Sequence, residues 1–296
     1  MTPPGFLDLP DAGPQAARVT LLPLPFEGTV SFGGGTAAAP AAILAASAQV
    51  ELWDDEQEVD LAALAYHWAA PVPPAADEAA GAYLARVEAA ARPLHRDGGL
   101  VIGVGGEHSL TPPLVAAATA AHDGADLTVV QLDAHADLRD EYAGTPHSHA
   151  CAMRRLVERG ARLIAIGIRS AAADEAAFRR HCPRLETFAA ASLARDAGAE
   201  ARLLELLATL TGRVYLTIDI DAFETHLCPG TGTPQPGGLA WWQALRYLAC
   251  LLRPQPGRVL IGADLVEVVP QPTTQVNEFV AARLLAKVIA YAAAAP

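Results

Sequence analysis

The sequence predicts an α/β fold in which helices cover both faces of a mainly parallel sheet. Short aliphatic runs alternate along the chain with longer alanine-rich segments, and a repeated strand-then-helix order produces parallel strands. The short runs are apolar almost throughout, without the polar residue at every second position that a half-exposed strand carries. We therefore expect these strands to be buried on both faces.

Six segments are predicted to be strands, at residues 19–24, 100–104, 127–132, 163–168, 214–220 and 259–265. Eight segments are predicted to be helices, at residues 40–47, 77–96, 113–121, 150–159, 173–181, 199–210, 240–252 and 277–291. The prolines at residues 71–74 indicate an internal loop, because no change in composition accompanies them. We therefore expect a single domain over residues 1–296.

The composition excludes several classes of protein. A chain of 296 residues that is 52% hydrophobic can bury a large core, so it is not intrinsically disordered. Its net charge of −12 argues against a nucleic acid or an anionic membrane as partner and suits a small cationic ligand. No apolar run reaches the roughly 18 residues of a membrane span, and Met1 to Asp8 lack the pattern of a secretory leader. We expect a cytoplasmic protein.

Chemically active side chains follow four of the predicted strands. Ligands of parallel sheets bind beyond the carboxyl ends of the strands, so we expect a site there. Residues at i, i+2 and i+4 of an extended segment point to one side, which would let the residues after the third strand face one point. The candidates, in chain order, are His108, Asp133, His135, Asp137, Asp219, Asp221 and Glu267.

The four aspartates of this group require a cation. Carboxylates buried close together cost several kcal/mol each unless their charge is compensated. Few lysines or arginines lie nearby: Arg139 follows Asp133 and Asp137 in the sequence, and none accompanies Asp219 and Asp221. Four negative charges balance two divalent ions, and oxygen and imidazole ligands without thiolate suit manganese, iron or zinc, with the carboxylate excess favouring manganese. The sequence therefore predicts a two-metal centre.

At these residues the chain closely resembles the ureohydrolase family of arginase and agmatinase. The likeness extends from near the amino terminus to the last helix, and agmatinases are the most similar branch. The polar loop by which arginases hold an amino acid is not recognisable between Asp137 and His149. The matching motifs are Pro25-Phe-Glu-Gly-Thr29, Ser31-Phe-Gly-Gly-Gly-Thr36, Gly105-Gly106-Glu107-His108-Ser109, Asp133-Ala-His-Ala-Asp137, Ser148-His149-Ala150-Cys151, Asp219-Ile-Asp221, Pro229-Gly-Thr-Gly-Thr-Pro234 and Asp264-Leu-Val-Glu267.

The resemblance implies a three-layer α/β/α sandwich, a homo-oligomer (trimer or hexamer) and a pair of Mn²⁺ ions in each subunit. His149 would relay a proton near the leaving amine, Glu267 would grip the substrate guanidinium, and Asp137 would help to move the proton. The implied ligands are His108 and Asp137 on one metal, His135 and Asp221 on the other, with Asp133 and Asp219 bridging.

The implied reaction is hydrolysis of a guanidino compound, foremost agmatine to putrescine and urea, a step of polyamine biosynthesis. Aminopropylagmatine, guanidinobutyrate, formiminoglutamate and arginine stay open as substrates, as does a metal-binding relative without catalysis. An acidic pocket rim would favour cationic substrate tails, whereas Arg139, Arg154 and Arg155 leave a carboxylate tail possible. The segment Glu224-Thr-His-Leu-Cys228 departs from the family pattern, and we expect it to border the pocket.

Overall fold

An eight-stranded sheet, parallel in every pairing, runs through the middle of the protein. The computed structural model describes residues 5–96, 98–124 and 126–294. The described residues therefore exclude the first half of the segment Met1–Asp8, which was tested for a leader, and the last two residues of the predicted domain. The strands are β1 (Val19–Leu24), β2 (Trp53–Asp54), β3 (Val59–Asp60), β4 (Tyr66–Trp68), β5 (Leu100–Gly105), β6 (Leu127–Leu132), β7 (Arg162–Ile168), β8 (Leu185–Ala189), β9 (Gly212–Asp219) and β10 (Arg258–Val266).

The order of strands across the sheet is β4-β1-β5-β10-β9-β6-β7-β8, while β2 and β3 form a separate antiparallel ribbon. The last two strands of the sequence are thus inserted between β5 and β6. This insertion makes β5, β10, β9 and β6 neighbours, and their carboxyl ends lie side by side along one edge. The residues that follow these four strands are the ones that carry the predicted site.

Helices lie on both faces of the sheet. They are α1 (Gly13–Ala16), α2 (Ala39–Ser47), α3 (Ala80–Ala91), α4 (Thr111–Ala121), α5 (Ala152–Glu158), α6 (Ala173–His181), α7 (Ala190–Arg195), α8 (Ala197–Thr209), α9 (Trp241–Leu252) and α10 (Val276–Ala293). Successive strand residues point to opposite faces, and they join two different apolar clusters. Val130 packs in the cluster with α2, α8, α9 and α10, whereas Val129 packs in the cluster with α3, α4 and α5. The predicted three-layer sandwich is confirmed.

All six predicted strands belong to this sheet, and the two edge strands were missed. β4 has only three residues, and β8, with sequence Leu-Glu-Thr-Phe-Ala, carries polar residues and is half-buried. Edge strands of this kind lack the continuous apolar run that identifies an interior strand. Within the described residues, no helix combines the length and the hydropathy needed to cross a membrane.

Candidate metal centre

His108 lies at the centre of the site. After β5 the chain passes Gly106, where a Cβ atom would lie 1.9 Å from the carbonyl oxygen of Phe26, and then enters a short 3-10 helix that begins at His108. The imidazole is 1% exposed, and its Nδ1 atom faces three carboxylates. The Nδ1 atom is 3.1 Å from Asp133 Oδ2, 3.0 Å from Asp137 Oδ2 and 3.5 Å from Asp219 Oδ2.

The segment from Asp133 to Asp137 turns at the edge of the sheet. β6 ends at Leu132, and Asp133 Oδ1 accepts the backbone N–H of His135 at 2.6 Å. Asp137 has a φ of 51°, in the left-handed region that costs a non-glycine residue about 1–3 kcal/mol. The expectation of one extended segment is therefore wrong, although the three side chains do converge.

The second aspartate pair lies at the end of β9. Asp219 is the last strand residue, and its Oδ1 accepts the N–H of Asp221 at 2.9 Å and so caps a short 3-10 helix, Ile220–Ala222. Asp221 is therefore on a helical turn rather than on the strand. Its Oδ2 lies 2.9 Å from His135 Nδ1, and its Oδ1 accepts the N–H of Ala134 at 3.0 Å.

These side chains form two sets able to hold a metal ion. In each set, three ligand atoms lie within 4.8 Å of one another, and Asp133 is common to both. Asp219, to which the resemblance gives a bridging position, belongs to the first set only, and Asp137 belongs to neither, although it lies beside His108. The sets are His108, Asp133 and Asp219, and Asp133, His135 and Asp221.

The chemistry of the site fits divalent cations. Within the described part of the chain, no lysine or arginine forms an ion pair with any of the four aspartates. His108 Nδ1 is buried and has no hydrogen-bond partner, although acidic oxygens surround it. A cation between the nitrogen and these oxygens would satisfy both, and ligands of oxygen and imidazole suit a transition metal ion.

The surroundings of these side chains raise their pKa values. Burial raises the pKa values of Asp133 and Asp219, and repulsion from neighbouring aspartates adds to this effect. Burial alone would lower the pKa of His108, but its three carboxylate neighbours outweigh it and raise that pKa well above the usual range. Burial opposes the charge of His135 as well, yet Asp221 and Asp133 raise its pKa to about 9. Metal ions would therefore displace protons as they bind.

A buried hydrogen-bond chain behind His108 was missed by the sequence analysis. His108 Nε2 lies 2.8 Å from Thr217 Oγ1, and the hydroxyl of Thr217 donates to Asp264 Oδ1 at 2.6 Å. Since Thr217 gives its proton to Asp264, Nε2 must donate, and in the neutral ring, the form that binds a metal ion, Nδ1 keeps its lone pair for a cation. Tyr215 donates to Asp264 Oδ2 at 2.9 Å. The available signal was an aspartate within an otherwise apolar predicted strand.

Arg169 is a second residue that the sequence analysis missed. It follows β7, and its guanidinium donates to backbone carbonyls in three segments, namely the end of β7, residues 221–223 and residues 235–236. The shortest of these bonds reach Gln235 at 2.6 Å and Asp221 at 2.7 Å. Arg169 therefore holds the loop that carries Asp221 against its neighbours. The acceptors are the carbonyl oxygens of Gly167, Asp221, Ala222, Phe223, Gln235 and Pro236.

A cavity of about 260 Å³ lies beside the metal sets, and His135, Asp137 and Asp219 form part of its wall. The two remaining candidates, Glu267 and His149, line it as well. Glu267 follows β10 with a φ of 62°, and its Oε1 accepts the N–H of His108 at 2.8 Å. Burial raises the pKa of Glu267, and the charge of Glu107 adds to this effect. His149 also lines the cavity, and its Nε2 is 3.5 Å from the Oγ atom of Ser31, another lining residue.

The structure corrects the expected border of this cavity. The segment from Glu224 to Cys228 is not among its lining residues, and Cys228 is buried in the apolar cluster of α9 and α10. Arg154 and Arg155 pair with acidic residues on the protein surface, so of the three arginines considered only Arg139 lines the cavity.

Fold and site together define an α/β/α protein with a carboxylate and imidazole centre able to hold divalent metal ions at the carboxyl edge of its sheet. A family model described as "Arginase family" matches residues 17–291, and the chain belongs to the arginase family. It is a hydrolase of the ureohydrolase class, as the sequence resemblance implied.

Individual relatives cover nearly the whole chain. The N(1)-aminopropylagmatine ureohydrolase of Synechocystis sp. is 35% identical over 280 residues, which are 93% of this chain and 89% of that protein. The agmatinase of Pyrococcus horikoshii is 32% identical over 289 residues, 97% of this chain and 96% of that protein. The crystal structure of the agmatine ureohydrolase of Thermoplasma volcanium is similar with a TM-score of 0.84 at 27% identity, covering 99% of this chain and 95% of that one.

Proposed function

We propose that the protein hydrolyses agmatine to putrescine and urea with two Mn²⁺ ions. One observation carries this proposal: two histidines and three aspartates form the two metal sets, a fourth aspartate lies beside His108, and the wall of the adjoining cavity includes a buried glutamate and a further histidine. The proposed ligands are His108, Asp133, His135, Asp137, Asp219 and Asp221. When bound, the metal pair would supply a water whose pKa is lowered towards about 7.

The residues of the cavity then have separate tasks. Glu267 is buried, so its carboxylate can hold the planar guanidinium through charge-assisted hydrogen bonds, and Oε2 is free of the bond that Oε1 makes to His108. Asp137 accepts the proton that the attacking water loses. His149 gives a proton to the leaving amine, a transfer that typically contributes about 10²–10⁴ in rate. Urea and the protonated amine are the products.

The cavity favours a cationic substrate tail. Its lining includes the acidic residues Asp137, Glu175, Asp219 and Glu267 and one arginine, Arg139. Asp137 and Asp219 are proposed metal ligands and Glu267 is the proposed guanidinium holder, so Glu175, which belongs to neither metal set, is the acidic lining residue left for a cationic tail. Two relatives named above act, by their names, on agmatine and on its aminopropyl derivative. Aminopropylagmatine is accordingly the second candidate, because only the far end of the substrate differs.

A panel of substrates tests the proposal. The manganese-loaded enzyme is assayed by direct product detection on agmatine, N(1)-aminopropylagmatine, 4-guanidinobutyrate, N-formiminoglutamate and arginine, with Glu267→Gln as the matched inactive variant. We expect the highest kcat/KM on agmatine and loss of activity in the variant. A preference for arginine or for a carboxylate-bearing compound would contradict the proposed substrate.

We also propose that the protein acts in the cytoplasm, in polyamine biosynthesis, as a homo-oligomer built from one domain per chain. The sedimentation velocity of the metal-loaded protein tests the oligomer, for which we expect the mass of a trimer or hexamer. A monomer at micromolar concentration would contradict it.

A further inference from the structure

Three separate segments meet at the imidazole of His149. The loop after β1 carries Thr29, the turn after β5 carries Glu107, and His149 itself begins a 3-10 helix, His149–Cys151, that leads into α5. Thr29 lies between the other two side chains. The contacts of its hydroxyl decide which imidazole nitrogen carries the proton.

Glu107 fixes the direction of the Thr29 hydroxyl. Its side chain is fully buried, and it accepts the backbone N–H of Thr29 on Oε2 at 2.6 Å. Its Oε1 accepts the Thr29 hydroxyl at 2.5 Å and the Ser109 hydroxyl at 2.6 Å. A carboxylate has no proton to give, so both hydroxyls donate to it. The single proton of the Thr29 hydroxyl is therefore committed to Glu107.

With its proton committed, Thr29 can only accept from His149. Thr29 Oγ1 accepts the backbone N–H of His149 at 3.0 Å, and His149 Nδ1 lies 3.2 Å away. Nδ1 must then carry a hydrogen, which leaves the lone pair of the neutral ring on Nε2, the nitrogen near Ser31 at the cavity wall. The competing donor is the hydroxyl of Ser148, which is farther from Nδ1, at 3.5 Å.

We propose that Glu107, acting through Thr29, holds the neutral ring of His149 in the Nδ1–H tautomer, so that Nε2 faces the cavity, takes up a proton from bulk water and passes it to the leaving amine. Glu107 and Thr29 are thus positioning residues that do not themselves touch the substrate. This assignment rests on the proposed role of His149 in proton transfer.

The tautomer is measured without turnover, by ¹⁵N NMR of the histidine rings in protein loaded with diamagnetic Zn²⁺, with His149→Ala to assign the signal. We expect the Nδ1–H tautomer in the wild type and in Thr29→Ser, which keeps the hydroxyl. Thr29→Val should lose this preference. Glu107→Gln should reverse it, because an amide can donate to Thr29 and free its proton for Nδ1. An Nε2–H tautomer in the wild type, or no change in either variant, would overturn the inference.

Kinetics supply the second readout. Thr29→Val should lower kcat on the best substrate at least tenfold with little change in KM, and Thr29→Ser should restore it. If Thr29→Val does not fold, Glu107→Gln, checked for metal content, carries the same comparison. A changed tautomer with unchanged kcat would overturn the link to catalysis. If the proposed substrate is wrong but the tautomer assignment is right, the wild type will show the Nδ1–H tautomer and yet turn over agmatine slowly.

Discussion

Asp264→Asn tests how the hydrogen-bond chain behind His108 controls metal binding. The substitution keeps the shape of the side chain but converts one acceptor oxygen into an NH₂ donor. If the amide faces Thr217, the Thr217 hydroxyl can no longer donate to it and turns towards His108 Nε2, which lies 2.8 Å away. The imidazole proton then moves to Nδ1. That nitrogen is the one that faces Asp133, Asp137 and Asp219, so the lone pair needed for a cation is lost.

The expected loss is 10- to 100-fold in metal affinity, the usual effect of removing a hydrogen-bond partner of a metal-ligating histidine. This corresponds to roughly 1.4–2.8 kcal/mol. It is measured by calorimetric titration of the metal-free protein with Mn²⁺, and independently as a smaller rise of Tm at a fixed metal concentration, since a ligand that binds only the folded state stabilises it.

Two further variants separate this effect from a general loss of packing. Tyr215→Phe removes the hydrogen bond to Asp264 Oδ2, the oxygen that does not accept from Thr217, so it should leave Mn²⁺ affinity within about threefold. Thr217→Ser keeps the hydroxyl and should bind Mn²⁺ like the wild type. If Asp264→Asn binds Mn²⁺ as tightly as the wild type although its NH₂ group faces Thr217, or if Tyr215→Phe weakens binding equally, the inferred polarity of the chain is wrong.

Three other predictions concern stability or metal binding. Lys287 is 2% exposed, and its Nζ atom lies 2.8 Å from a carboxylate oxygen of Asp54. Lys287→Met should therefore lower the free energy of unfolding, measured with urea, by about 3–5 kcal/mol, because it leaves a buried carboxylate without this partner. A decrease of less than about 1 kcal/mol would contradict this prediction. In Arg169→Lys the ammonium group should not substitute for the guanidinium, because it cannot reach all the carbonyl acceptors of Arg169. We expect this variant to bind Mn²⁺ more weakly in calorimetric titrations, and an unchanged affinity would refute this prediction. Burial, aided by the charge of His122, lowers the pKa of His95 to about 4, so the unfolded chain takes up this proton first as the pH falls through 6.5. The free energy of unfolding is measured by chemical denaturation for the metal-free wild type and the metal-free His95→Phe variant. Between pH 7 and pH 5 the wild type should lose about 2 kcal/mol more of this free energy than the variant does. Equal losses in the two proteins would contradict the prediction.

The sequence by itself determined which residues form the interior of the sheet and which follow its strands. Continuous aliphatic runs have few alternatives to a doubly covered strand, so all six predicted strands occur, two of them, β1 and β6, with the predicted bounds. The aspartates and histidines after these runs were recognisable because like charges in such numbers require a cation. Residues such as Asp264 and Arg169 gave a weaker signal, since each acts through hydrogen bonds to partners distant in the chain.

Only the tertiary structure decided how these residues meet. Local patterns do not encode strand order, so they did not place β10 and β9 between β5 and β6. The family resemblance implied that His108 and Asp219 share a metal centre, and the tertiary structure supplies the contact between them. The left-handed turns at Asp137 and Glu267 are likewise imposed by packing and hydrogen bonds, because an isolated chain would avoid them. The choice of imidazole nitrogen at His108 and His149 follows from hydroxyl groups that folding delivers from other strands and loops.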